Sequence, residues 1–344
     1  MSPRFALSLI MLLATGPLMA ATTQIKIATL APENSTWMKE MRAGAEEISK
    51  RTEGRVQLKF YGGRVMGNDR KVLRKMRIGQ LHGGSFTPSG LAERYPDLNL
   101  YGMPLVFNSL EEVDYIRGLF DERLNSGLEE AGLVGFGITG GGFAQIMSNA
   151  PVRTREDLEG RKVWVPEGDS VTLSAMQAME LSPVVLPITD VLTGLQTGLI
   201  EVIGTPPVAA VALQWYTKVR YLTDFPVTYT YAVLVVEKKV FDRLEAADQE
   251  TFREVMEQIY AKFDAASVTE NADAREALEA NGIEIVNPSP GAVDTWRGQV
   301  LANNLANAAS GMVSLSLYEE MLAALENFRT GESDAMASAA PAGR

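Results

Sequence analysis

The chain has no cysteine, a single histidine and, past its first residues, no apolar run that approaches a membrane span. Without cysteine there is no disulfide, no thiolate nucleophile, no zinc–thiolate site and no lipid-modified cysteine to tether an exported protein. One imidazole, His82 beside Gly83-Gly84, leaves no histidine pair for a catalytic or metal centre and reads as structural. A Gly-x-Ser-x-Gly elbow is missing, and Gly140-Gly141-Gly142 lacks the spacing and the lysine of a phosphate loop. That glycine run reads instead as backbone that must approach another segment, a hinge or a ligand. Basic residues are the minority, 32 against 43 acidic, for a formal charge of −11. Such a balance makes a poor general nucleic-acid binder, because phosphate attraction carries sequence-independent affinity.

What is present fits two domains in 344 residues, with 46% hydrophobic and 22% charged residues as in soluble globular proteins. Residues 1–20 read as a signal peptide: Arg4, a short apolar core from Phe5 to Ala14, then small residues at Ala20 and Ala21. Export without a lipid tether points to a bacterial periplasm. At the other end, 331–344 is rich in Ser, Ala, Gly and Pro and is expected to be disordered.

Between these ends the pattern alternates strand and helix. Ile25 and Ile27 mark a strand; Ser35 or Thr36 can cap a helix carrying Trp37, Met41, Ala45 and Ile48. Val56, Leu58 and Phe60 mark a second strand and Asn68 to Ile78 a second helix, which together predict an α/β domain with parallel strands. Ligand crevices in such sheets lie at the carboxyl ends of strands, here the loops 31–35, 62–68 and 85–89. After Pro151 the rhythm resumes with strands at 161–165 and 199–203, helices at 170–180, 189–197 and 207–217, and a buried strand at 229–236. Residues 246–281 read as one long helix, roughly 50 Å if unbroken, although a break near 267–271 is an alternative.

Several segments carry a family resemblance. They are Ala28-Thr29-Leu30-Ala31-Pro32, Tyr61-Gly62-Gly63 running into Val65-Met66-Gly67, Pro104-Leu105-Val106-Phe107, Asp157 to Pro166, and Leu195-Gln196-Thr197-Gly198. In this order the chain resembles the substrate-binding proteins of tripartite ATP-independent periplasmic (TRAP) transporters, from about Gln24 to about Leu325. The resemblance implies a two-lobed α/β periplasmic-binding-protein fold, with strand exchange between lobes and a long bridging helix. It places lobe I at 22–147 plus 232–265, lobe II at 148–231 plus 282–330, and the bridge at 246–281. It also implies a small-molecule ligand, TRAP membrane permease subunits as partners, no cofactor, no metal and no catalysis.

The chain departs from its relatives where the ligand is held. The family pattern has an arginine in the strand that here reads Lys162-Val163-Trp164-Val165-Pro166, and that arginine grips an organic acid by a bidentate pair. Here it is Trp164. A second arginine of many relatives is Ala144, and a frequent asparagine is Thr205. Arg161 does not compensate, since alternation puts it and Val163 opposite Lys162 and Trp164. A carboxylate enclosed without a cation costs several kcal/mol. The expectation is therefore an apolar, aromatic or amphipathic ligand read by the tryptophan face. Trp-Val-Pro-Glu-Gly-Asp at 164–169 and Gln214-Trp215 also resemble a branch associated with hydrophobic ligands and a helical-repeat periplasmic partner.

The candidate ligand-binding residues are Pro32, Ser35, Trp37, Asn68, Arg70, Thr87, Phe107, Phe143, Trp164, Glu167, Thr205, Gln214 and Trp215. Trp164 could equally be a packed strand residue, and Trp37 and Trp215 sit on plausible helix core faces. Trp296 reads as ordinary packing. Glu167 could meet a ligand, join a cation site or cap the helix that follows, whereas Asp169 suits a cap. Arg70, Arg74 and Arg77 share one helix face, which reads as solvated, as a permease contact, or with Arg70 reaching the cleft in place of the missing arginine. A periplasmic sensor, or less favourably an enzyme, are the competing functions.

Overall fold

The computed structural model describes residues 22–331, so the signal-peptide and tail expectations lie outside the described residues. Nine strands are β1 (Thr23–Ala28), β2 (Val56–Tyr61), β3 (Gly83–Phe86), β4 (Leu133–Ser148), β5 (Trp164–Pro166), β6 (Val184–Leu186), β7 (Val202–Thr205), β8 (Tyr221–Glu237) and β9 (Glu284–Val286). The helices are α1 (Thr36–Arg51), α2 (Asp69–Arg77), α3 (Pro88–Leu91), α4 (Leu110–Glu130), α5 (Ser170–Ala178), α6 (Val191–Thr197), α7 (Pro207–Ala212), α8 (Lys238–Phe241), α9 (Ala246–Ala280), α10 (Ala292–Ala309) and α11 (Leu315–Thr330).

One sheet runs β2-β1-β3-β8-β4-β7, with β9 also on β8; β5 and β6 form a small parallel pair. The expected parallel pairing holds for β1 with β2 and β3. It does not hold for β4 and β8, which run antiparallel to each other and to β7 and β3 respectively. The chain leaves one half of the molecule along β4, builds the other half, and returns along β8, so these two strands must oppose. Both contribute to the cores at each end. In the first half Val233 and Val235 of β8 pack with Val72, Phe86 and Val113, while Leu234 and Val236 pack on the other face with Met38, Phe136 and Phe252. In the second half Leu222 joins Met147 and Ile203, and Phe225 joins Val202 and Trp296.

Ser35 caps α1, its hydroxyl accepting from the Met38 amide at 3.2 Å, a contact worth about 1 kcal/mol. The 35-residue α9 is unbroken. It packs Phe252, Val255, Met256 and Tyr260 into the first half and Leu278 into the second. At 267–271, where a break was the alternative, Asn271 grips the sheet instead, donating to Gly141 O at 2.9 Å, and one turn earlier Asp264 accepts from Gly140 N at 2.7 Å. The glycine run thus lets β4 pass close under α9, with Gly142 at φ +83°.

Two expectations are corrected. The stretch 282–330, assigned to lobe II, divides: Trp296 and Val300 of α10 pack in the second half, but Leu317, Tyr318, Met321 and Leu325 of α11 belong to the first. Arg329 fixes that docking through two hydrogen bonds of 2.8 Å to the Glu112 carboxylate on α4. The helix expected over 207–217 ends at Ala212, because Gln214 takes a left-handed φ of 60° and a 3-10 turn, Trp215–Lys218, follows.

Candidate functional site

Helix α2 begins where Asn68 caps it, the side-chain oxygen accepting from Lys71 N at 3.1 Å. The helical repeat then aligns Arg70, Arg74 and Arg77 on one face. That face lines a cavity of about 330 Å3, together with Thr87 just after β3, Ser89 and Gly90 in α3, and Glu93 beyond it. The opposite wall comes from the second half: Pro166, Glu167 and Gly168 after β5, and Pro187, Ile188 and Thr189 after β6. The volume lies at the low end of small-molecule sites. Asn68, Arg70, Thr87, Glu167 and the 187–189 segment sit at carboxyl ends of strands or the helix starts that follow, as the topology requires.

The cavity mixes charged and polar groups with apolar ones, Leu30, Leu73 and Ile188 among them. Arg70 lies 3.8 Å from both Glu93 and Glu167, too far for a strong hydrogen bond. Among the described residues Arg74 and Arg77 have no ion-pair partner. Asn68 Nδ2 donates to Glu167 Oε2 at 2.6 Å, and Arg64 donates to Thr189 O at 3.0 Å, so both contacts cross between walls. Burial pushes the Asp69 carboxyl up to about 7; the Thr87 hydroxyl opposes this and the Glu167 charge adds to it. No cluster of three or more acidic or histidine side chains suited to a metal occurs among the described residues.

Of the sequence candidates, Asn68, Arg70, Thr87 and Glu167 line this cavity. The others lie elsewhere. Ser35 caps α1 and also donates to Pro32 O at 2.7 Å. Trp37 stacks on Phe263 with ring centroids 5.8 Å apart. Phe107 is buried in the first core, and Phe143 sits edge-on to Tyr229. Thr205 is buried on β7, paired with Gln145, and Gln214 is an exposed turn residue.

Trp164 is 5% exposed and Trp215 3%, and their rings pack edge-to-face at 5.4 Å. The indole N–H of Trp164 donates to Leu186 O at 2.9 Å, which uses its only polar handle. Asp169 caps α5 by accepting from Thr172 N at 2.9 Å. His82 Nδ1 accepts from Lys26 N at 3.1 Å, a structural contact between β1 and the start of β3. Sequence reasoning pointed to the 85–89 loop that carries Ser89 but missed Asp69, Glu93 and the 187–189 wall. Asp69 and the 187–189 wall had only their position near strand ends as a signal, and Glu93 had none. A second cavity, about 60 Å3 and lined almost wholly by apolar groups such as Ile146, Val163, Val202 and Trp296, is small for a solute.

Comparison with known proteins places this architecture. The profile of the DctP family, bacterial extracellular solute-binding protein family 7, matches residues 27–306. A solute-binding protein of Verminephrobacter eiseniae is 26% identical over 273 residues, covering 78% of this chain and 80% of that protein. The C4-dicarboxylate-binding periplasmic protein of Rhodobacter capsulatus is 23% identical, covering 77% and 80%. Among solved structures, the sugar-acid-binding protein of Advenella mimigardefordensis in complex with galactonate superimposes with a TM-score of 0.81 at 21% identity, covering 89% of this chain and 99% of that one. A TRAP periplasmic solute-binding protein of Desulfovibrio salexigens with bound orotic acid gives 0.77 at 19% identity, covering 88% and 99%. Proteins of this kind bind small solutes and work with membrane permease components, and nothing in the comparisons points to catalysis. The chain belongs to the DctP family and is a TRAP-type solute-binding protein.

Proposed function

We propose that this protein captures an oxygen-rich organic acid of the sugar-acid class in the cavity between α2 and the β5 and β6 loops, and presents it to a TRAP permease from the periplasm. The observation that carries the reading is the arginine face: Arg70, Arg74 and Arg77 all line the cavity, and none has a close ion-pair partner. Guanidinium forks that lack a tight partner are well shaped for a carboxylate, and neighbouring hydroxyls at Thr87, Ser89 and Thr189 suit a polyhydroxylated solute. A structural relative with galactonate bound supports the sugar-acid class, and one with orotic acid bound supports a carboxylate solute more generally.

This reading replaces the apolar ligand expected from the sequence. That expectation needed Trp164 in the cleft with its ring face free. Its ring is instead packed on Trp215 and its N–H is spent on Leu186 O, so it stabilises the second half. In its place Arg70 becomes the clamp residue. The helical-repeat partner gains no support from the fold and is left aside. Isothermal titration of protein refolded free of bound solute, against galactonate, galacturonate, glucuronate and orotate, tests the proposal. Binding of at least one acid, weakened at least tenfold by Arg70→Ala, is expected. Wild-type affinity for all four acids absent, or unaffected by Arg70→Ala, would overturn it.

A further inference from the structure

Glu167 belongs to one wall of the cavity, yet its carboxylate is held by the other. One oxygen accepts from the Asn68 amide at 2.6 Å and the second lies 3.8 Å from the Arg70 guanidinium. Asn68 can make this contact because its own side-chain oxygen is fixed by capping α2, which aims the amide nitrogen across the cavity. An amide N–H beside a guanidinium is the donor set that a carboxylate solute would use. The wall-to-wall contact is extended nearby by Arg64 and Thr189 O.

We propose that Glu167 is a built-in competitor for the solute carboxylate, and through that competition a specificity-determining residue. The proposal rests on the acid-solute reading above and assigns a selection rule to the same site. An intramolecular carboxylate acts at a high effective concentration, in the millimolar range or above. A solute that offers only one carboxylate must evict Glu167 and gains little. A solute that also offers hydroxyls to Thr87, Ser89 and Thr189 has contacts that Glu167 cannot match. The same contact holds the two walls together when no solute is bound, so eviction and wall movement are one event.

The lack of cysteine makes the test clean, because two introduced cysteines are the only labelling sites. Exposed positions Glu46 on α1 and Gln196 on α6 report on opposite halves. Spin-label distances are measured in refolded, solute-free protein, with and without Glu167→Ala, and galactonate affinity is measured on the same samples. The expected result is a longer or broader distance in the variant, with galactonate bound on the order of tenfold more tightly, the gain set by the fraction of sites Glu167 occupies. Glu167→Gln, which keeps an acceptor for Asn68, should fall between the two. An unchanged distance, or an unchanged or weaker affinity, overturns the proposal while leaving the acid-solute reading intact. Failure of the wild type and every variant to bind any of the four acids overturns that reading and this proposal together.

Discussion

Trp164→Ala separates a ligand contact from a core residue. The side chain is 5% exposed, packs edge-to-face on Trp215, and sits among Met147, Val191, Leu195 and Ile203. Truncating a buried tryptophan costs about 3–5 kcal/mol in transfer and cavity terms. Loss of the indole N–H adds little, because Leu186 O keeps the Glu167 amide as a donor at 3.0 Å. For a protein of this size that cost lowers the melting midpoint by about 5–10 °C. Calorimetry and urea unfolding report the stability, and titration with galactonate at 20 °C, where the variant remains folded, reports affinity. The expected outcome is a large stability loss with affinity changed by less than about threefold, under 0.7 kcal/mol. A variant that melts within 2 °C of wild type and yet loses solute binding would refute the packing argument. Trp164→Arg should be at least as destabilising, since it buries a guanidinium with no carboxylate beside it.

Other perturbations follow from the same geometry. Asp69 has a folded-state pKa raised from its ordinary value to about 7, so the stability it contributes is complete below about pH 4 and is lost as pH rises through 7. Asp69→Asn should therefore flatten the stability profile between those limits and raise the midpoint at pH 8; a profile as steep as wild type contradicts this. Arg329→Met leaves the Glu112 carboxylate, 7% exposed, without its cation, and should cost about 3–5 kcal/mol in urea unfolding. For Glu112 burial would push the carboxyl up, but hydrogen bonds from Arg329 and Asn108 bring it below its usual range. Wild-type stability in Arg329→Met would show that α11 is not anchored there. Arg74→Ala should weaken acid binding less than Arg70→Ala, and the loss should shrink at high salt because the side chain is exposed.

Local signals made the outer elements legible. Ser35 and Asn68 announced α1 and α2, and the spacing of Phe252, Val255, Met256, Ile259, Phe263 and Ala266 announced α9, which runs to Ala280. Strand β4 was not legible. Its glycines at 135, 137 and 140–142 and three register shifts against β8 erase the two-residue alternation that marks a strand. The antiparallel course of β8 was hidden for a different reason, since it depends on where the chain returns from.

At the site, the strand expected over 161–165 begins only at Trp164 and ends at Pro166, and the sequence could not say what packs against Trp164. Alternation put Val163 and Trp164 on opposite faces, and they do enter different cores. Only the approach of Trp215 and Leu186 O decides that Trp164 is packing. The arginines of α2 left three readings open, a solvated face, a permease contact or Arg70 in the cleft, because sequence shows which residues share a side, not what stands opposite. Glu167, three strands further along the chain, is part of that wall.

The central claim is that the arginine face of α2, and not the ring of Trp164, meets the solute. A crystal structure grown with galactonate tests it most directly. The account predicts a carboxylate within 3.2 Å of Arg70 or Arg74, with Glu167 withdrawn from Asn68 and Trp164 still packed on Trp215. Solute density against the Trp164 ring, with the Asn68–Glu167 contact intact and the α2 arginines untouched, would contradict it.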